Sequence, residues 1–227
     1  SVNRSQDFGT FRGIKLYSVA YAEDDPQFGD LFLSTDCEDV SYQTYWYRGG
    51  WFDNLTVFWK DFNTPGRFQD RVYEIARNHE SATTYNYKDV CLLSGHQTLS
   101  PGETGVFRFI ISWNFPNFTN YWNPGSCGCG DGCHLPSWKN HYAVQFADST
   151  HSAAYTWQRL PRLERETAEF KESLFRSTLP DYVLDAVASN LSVLKSPTCV
   201  RLTDGTLYGF EGCHAHEGCC EGSCTHV

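Results

Sequence analysis

The chain has 227 residues, 41% of them apolar and 16% aromatic, enough to bury a full core and far from a disordered composition. Its formal net charge is -9, from 27 acidic against 18 basic residues with no basic stripe, which excludes a nucleic-acid-binding surface. No apolar run approaches the roughly 18 residues of a membrane span, so the sequence holds no transmembrane segment.

The chain contains no Met and opens on the polar run Ser1-Val2-Asn3-Arg4-Ser5 without a signal-peptide pattern, which reads as a processed or excised piece. From about residue 11 to residue 115 the pattern has period two. In Val106–Phe115 one face carries Phe107, Phe109, Ile111, Trp113 and Phe115, and the other carries Val106, Arg108, Ile110, Ser112 and Asn114. That alternation predicts a strand with one buried and one partly wetted face. Shorter alternating runs at Gly13–Tyr21, Leu31–Leu33, Leu55–Trp59 and Val90–Leu93 predict further strands. Turn signals such as Arg48-Gly49-Gly50, Thr64-Pro65-Gly66 and Ser100-Pro101-Gly102 separate them. Many strands divided by turns, with no helical run between, predict a mainly β, antiparallel β-sandwich.

After Asn140 the period changes. Ser152–Phe175 reads as a helix with Leu163, Thr167, Phe170 and Leu174 on one stripe, and Pro161 marks a kink or a boundary. A second helix follows at about Pro180–Leu194. Pro180 suits its first turn, Asp181 complements the dipole, and Val183, Val187, Leu191 and Leu194 form its apolar stripe. A hairpin is predicted around Asp204-Gly205.

Two stretches carry soft ligands. The loop Pro116–Trp138 contains Cys127, Cys129, Cys133 and His134; the tail contains Cys213, Cys219, Cys220 and Cys224 with His214, His216 and His226. If the two loops approach one another, these seven cysteines could close a shared tetrahedral Zn²⁺ site with sulfur at about 2.3 Å. Disulfides and a reduced, hydrogen-bonded loop are the alternatives, and the spacing matches no standard finger. Asn-x-Ser/Thr sequons stand at Asn3, Asn54, Asn117 and Asn190, a motif with meaning only in a secreted eukaryotic protein. No catalytic constellation emerges. Glu211 is the tempting acid, with Asp204, Glu217 and Glu221 behind it, but a loop carboxylate is more often simply solvated.

One long run is recognisable. Ser177-Thr178-Leu179-Pro180 through Ser196-Pro197-Thr198-Cys199, then Asp204-Gly205, then Gly218-Cys219-Cys220-x3-Cys224-Thr225-His226-Val227, resembles a junction in glycoside hydrolase family 116. There the N-terminal β-sandwich meets the catalytic (α/α)6 barrel. The family includes β-glucosidases and glucosylceramidases, with some relatives preferring other β-linked sugars, and hydrolyses terminal β-glycosidic bonds with retention through a covalent glycosyl-enzyme. The resemblance implies a sandwich over 1–150, a helical linker over 151–196 and a truncated barrel start over 197–227. It places the nucleophile Glu and acid/base Asp beyond Val227, so no catalytic residue is carried onto this chain. It requires no cofactor; the implied partners are the remainder of the catalytic polypeptide and a β-linked sugar. The competing expectation is a stand-alone carbohydrate-binding sandwich with Tyr45, Trp46, Tyr47, Trp51, Tyr121 and Trp122 as stacking platforms.

Overall fold

The computed structural model describes residues 2–50, 52–74, 89–119, 137–195 and 199–209. In chain order the elements are β1 (Val2–Asp7), β2 (Arg12–Tyr17), β3 (Asp30–Thr35), β4 (Val40–Gln43), α1 (Asp53–Phe62), β5 (Leu92–Gly95), β6 (Phe109–Asn114), β7 (Asn117–Thr119), β8 (Ser137–Lys139), α2 (Ser149–Phe175), α3 (Asp181–Asn190), β9 (Cys199–Arg201) and β10 (Leu207–Gly209). Short 3-10 turns occupy His141–Val144 and Leu191–Lys195. Every strand pairing is antiparallel. The chain divides into two compact units.

The first unit holds residues 1–22, 29–114 and 148–157. Its main sheet has the order β1-β2-β3-β6, with Phe32 opposite Ser112 and Leu33 opposite Ile111. One face of this sheet is covered by the first turns of α2. Phe32 and Phe11 pack on Ala153 and Trp157, and the indole N–H of Trp157 donates to Ser34 Oγ at 3.0 Å. Asp148 starts that helix by accepting the His151 N–H at 2.8 Å, while Asp30 on β3 accepts the Ser149 N–H at 2.8 Å. Two carboxylates at a helix N-terminus suit its dipole. Lys15 on β2 spans both, 3.1 Å from Asp30 and 2.6 Å from Asp148.

Three sequence expectations change here. Leu55–Trp59 is not a strand but the middle of α1, whose inward residues Asn54, Val57, Phe58 and Asp61 follow helical spacing. A five-residue window is too short to separate the two periods. The long helix begins at Ser149 rather than Ser152, because its polar first turn is capped from Asp148, and it runs through Pro161 without ending. Pro161 costs it one donor, the N–H that would reach the Trp157 carbonyl.

The third change concerns β6. Its small polar residues face inward: Ser112 is 7% exposed and donates to the Ser149 carbonyl at 2.8 Å, and Asn114 is buried. Its large apolar residues Phe109, Ile111 and Trp113 face out. The amphipathic strand is present, but its apolar side is the open one.

The second unit holds residues 23–28, 115–147 and 158–227. β7 pairs with β8, and Asn117 ties this pair to the 23–28 segment by donating to the carbonyls of Glu23 (2.8 Å) and Asp25 (3.0 Å). Trp138 sits edge-on to Phe118 and against Tyr208. β9 and β10 form the predicted hairpin: Gly205 takes φ +91°, and Asp204 accepts the Thr206 N–H at 2.9 Å. In α3 the buried residue is Leu184, whereas Val187 and Leu194 of the expected stripe are exposed.

Candidate functional site

The seven cysteines expected to hold zinc, Cys127, Cys129, Cys133, Cys213, Cys219, Cys220 and Cys224, lie outside the described residues, as do Glu211, Glu217 and Glu221. Among the described residues no group of three His, Cys, Asp or Glu side chains could hold a metal ion. The described thiols have quieter roles. Cys37 is buried and donates to the carbonyls of Asp39 and His96. Burial pushes the Cys91 thiol up to about 11.

Among the described residues five carboxylates are held below their usual range by cations or backbone donors. Asp7 is held below its usual range by the Gly9 N–H and by Arg12, Asp39 by Arg67, and Asp204 by the Thr206 N–H. For Asp61, burial pulls the other way, but Arg71 and Gln43, each at 2.7 Å, outweigh it. Asp148 follows the same pattern through Lys15. A general acid for glycoside hydrolysis needs the opposite, a carboxyl kept protonated near neutral pH.

The aromatics divide likewise. Tyr45 is 3% exposed: its hydroxyl accepts the Asn3 N–H at 2.8 Å, and the Arg48 guanidinium lies 4.9 Å from its ring and 4.3 Å from that of Tyr73. It is a packing residue and not a stacking platform. Trp46 stacks on Phe58 at 4.1 Å, while Tyr47 is exposed. Trp51, Tyr121 and Trp122 lie outside the described residues. Two sequons are likewise internal: the side-chain amides of Asn3 and Asn117 donate to the carbonyls of Thr44 and Glu23, and both residues are buried.

What the first unit presents is an apolar sheet face. Register places Leu31 beside Trp113 and Leu33 beside Ile111, and Phe109 continues the row. Ile111 is 65% and Trp113 59% exposed, and Leu31 and Phe109 are also exposed. Among the described residues β6 is the edge of its sheet. A row of large apolar side chains on an edge strand is a liability unless something covers it, so the geometry is that of a docking surface. Sequence periodicity found the row but could not say which way it pointed.

The search of the curated proteins gave no match. The family model described as beta-glucosidase 2, glycosyl-hydrolase family 116 N-term, matches residues 1–163. A match over that much of the chain agrees with the resemblance carried by residues 177–227, and the chain belongs to glycosyl-hydrolase family 116 through this N-terminal region.

Proposed function

We propose that this chain is the non-catalytic N-terminal portion of a retaining β-glycosidase, an antiparallel β-sandwich that seats the catalytic remainder of the polypeptide. The observation that carries this reading is the outward row Phe109, Ile111 and Trp113 on the edge strand β6, with Leu31 of β3 beside Trp113. The inner face of the same strand is already satisfied by α2 through Ser112 and Ser149, so the outer row is free to contact a second body. In the whole protein, hydrolysis proceeds by double displacement with carboxylates supplied from the catalytic part. The carboxylates held in the ionised form here act as structural anchors. Simple β-glucosides and glucosylceramide-like glycolipids are the substrate class, and residues 151–196 serve as the linker between sandwich and barrel.

The test uses the full natural polypeptide carrying Ile111→Asp and Trp113→Lys. We expect near-parental circular dichroism, a protease-sensitive boundary between the two parts, and β-glucosidase activity reduced by at least about tenfold. Parental activity and protease resistance would remove the seating role. Saturable quenching of tryptophan fluorescence by β-glucosides in a chain without activity would instead favour a carbohydrate-binding module.

A further inference from the structure

Among the described residues β4 has a strand on one edge only. Its antiparallel partner β5 sets Gly95 opposite Val40, and the His96 N–H donates to the Asp39 carbonyl at 2.8 Å. Asp39, Ser41 and Gln43 therefore turn their backbone groups toward β5, whereas Val40, Tyr42 and Thr44 turn theirs to the other side. On that side the segment 67–73 runs in step with β4. The Arg67 guanidinium donates to the Val40 carbonyl while pairing with Asp39 at 2.7 Å. The Phe68 N–H donates to Ser41 Oγ at 3.3 Å, and that oxygen lies 2.8 Å from His96 Nε2. Asp70 accepts the Thr44 N–H at 2.6 Å, and the Tyr73 hydroxyl accepts the Arg48 N–H at 3.1 Å. Each of these links uses a side chain. Among the described residues no backbone–backbone hydrogen bond joins the segment to β4.

We propose that the segment 67–73 is a cover that keeps the β4 edge from pairing with the β4 edge of a second copy of this chain. An uncovered edge offers unpaired N–H and C=O groups to another strand, and a loop laid along it removes that offer. A second copy fits this edge in register. The outward groups are centred on Tyr42, so an antiparallel two-fold pair sets Tyr42 opposite Tyr42 of the other copy and Val40 opposite Thr44. The Val40 carbonyl, held here by Arg67, then meets the Thr44 N–H, held here by Asp70. The Thr44 carbonyl needs no partner from the second copy, because it already accepts the Asn3 side-chain amide at 2.8 Å. The cover is lightly held. Arg67, Gln69, Asp70 and Asp39 are exposed, so water competes for these links and little apolar surface is lost when they open. Tyr73 keeps the far end in place, edge-on to Tyr45 and beneath Arg48. The inference is separate from the seating role of β6, which belongs to another sheet.

The experiment compares the full natural polypeptide with its Arg67→Ala, Asp70→Ala double variant by hydrogen exchange and analytical ultracentrifugation. The Thr44 amide of the variant exchanges at least about tenfold faster in dilute solution. At about 10–100 µM the variant reaches twice the parental mass, with circular dichroism unchanged. Adding Tyr42→Pro removes the central donor of the paired edge. That N–H points away from β5, so the β4–β5 ladder and the circular dichroism are kept while the extra association is lost. The proposal is overturned if the double variant sediments as the parent does, or if its Thr44 amide exchanges at the parental rate. It is equally overturned if the association survives Tyr42→Pro, which would put the contact on another surface. A double variant that loses its fold would make the segment part of the core rather than a cover, and overturns the proposal as well.

Discussion

Ser112 and Trp113 are neighbours on β6 and lie on opposite sides of the sheet, the serine 7% exposed and the tryptophan 59% exposed. Hydrophobicity alone would place them the other way round. The reversal holds because Ser112 fits a close approach: its hydroxyl reaches the Ser149 carbonyl at the start of α2, where an indole would force the helix away. The small residue is inside because the helix is near, and the large one is left for a surface beyond the unit.

The Lys15–Asp30–Asp148 cluster should set part of the stability against pH. Burial alone would lower Lys15 and raise Asp148, but their mutual hydrogen bonds win, so Lys15 is raised and Asp148 lowered. A depressed carboxylate stabilises the fold above its unfolded value of about 3.9, and that contribution is lost as pH falls through the folded value. A raised lysine stabilises below about 10.4 and loses its contribution as pH rises through the folded value. Lys15→Met should therefore cost roughly 1–3 kcal/mol near pH 7, and the gap to the parent should close below about pH 4. Urea unfolding across pH is the measurement. A gap unchanged from acid to neutral pH would show that the charges are not what the lysine contributes.

Gly13 has no room for a side chain. A Cβ there would press on the Leu33 carbonyl oxygen and sit 2.8 Å from the Ser34 Cα, both backbone atoms of β3. Gly13→Ala should destabilise the first unit by at least about 2 kcal/mol. Thermal denaturation reads it, and an unchanged melting temperature would mean that the β2–β3 pair can separate freely.

Arg48 joins Asp89, Tyr45 and Tyr73. Its guanidinium pairs with Asp89 through two nitrogens at 2.9 and 3.0 Å and lies over Tyr45 and Tyr73. The Asp89 side chain is almost wholly buried. Lysine keeps the charge but not the planar fork, so Arg48→Lys should still cost about 1–2 kcal/mol, and Arg48→Ala about 3 kcal/mol or more. Equal stability of the lysine variant and the parent would reduce this site to a point charge.

Cys91 should be chemically quiet in the folded chain. With its thiol pushed up to about 11 by burial, only about one molecule in a thousand is thiolate at pH 8. Iodoacetamide followed by peptide mass mapping should leave Cys91 unlabelled until denaturant is added. Rapid labelling in native buffer would mean that this segment opens readily.

Much of the layout is legible one residue at a time. Pro180 with Asp181 announces α3, and Asp204-Gly205 makes its hairpin because glycine alone tolerates the positive φ at the turn. These are local signals, decided within a few residues. The period-two run through β6 is legible in the same way, and so is the family, from the run Ser177–Val227 and the match over residues 1–163.

The tertiary structure decided what periodicity leaves symmetric. An alternating strand has two faces, and only the arrival of α2 on the Ser112 side fixed which one is open. Leu55–Trp59 turned helical because Trp46, Gln43 and Arg71 hold Phe58 and Asp61 at helical spacing, information carried by residues outside that window. Lys15 and Asp148 meet across 133 positions of chain. Sequence spacing encodes the angle between near neighbours, whereas a long-range pair depends on how whole elements pack, and that is settled by burial and charge satisfaction summed over the fold.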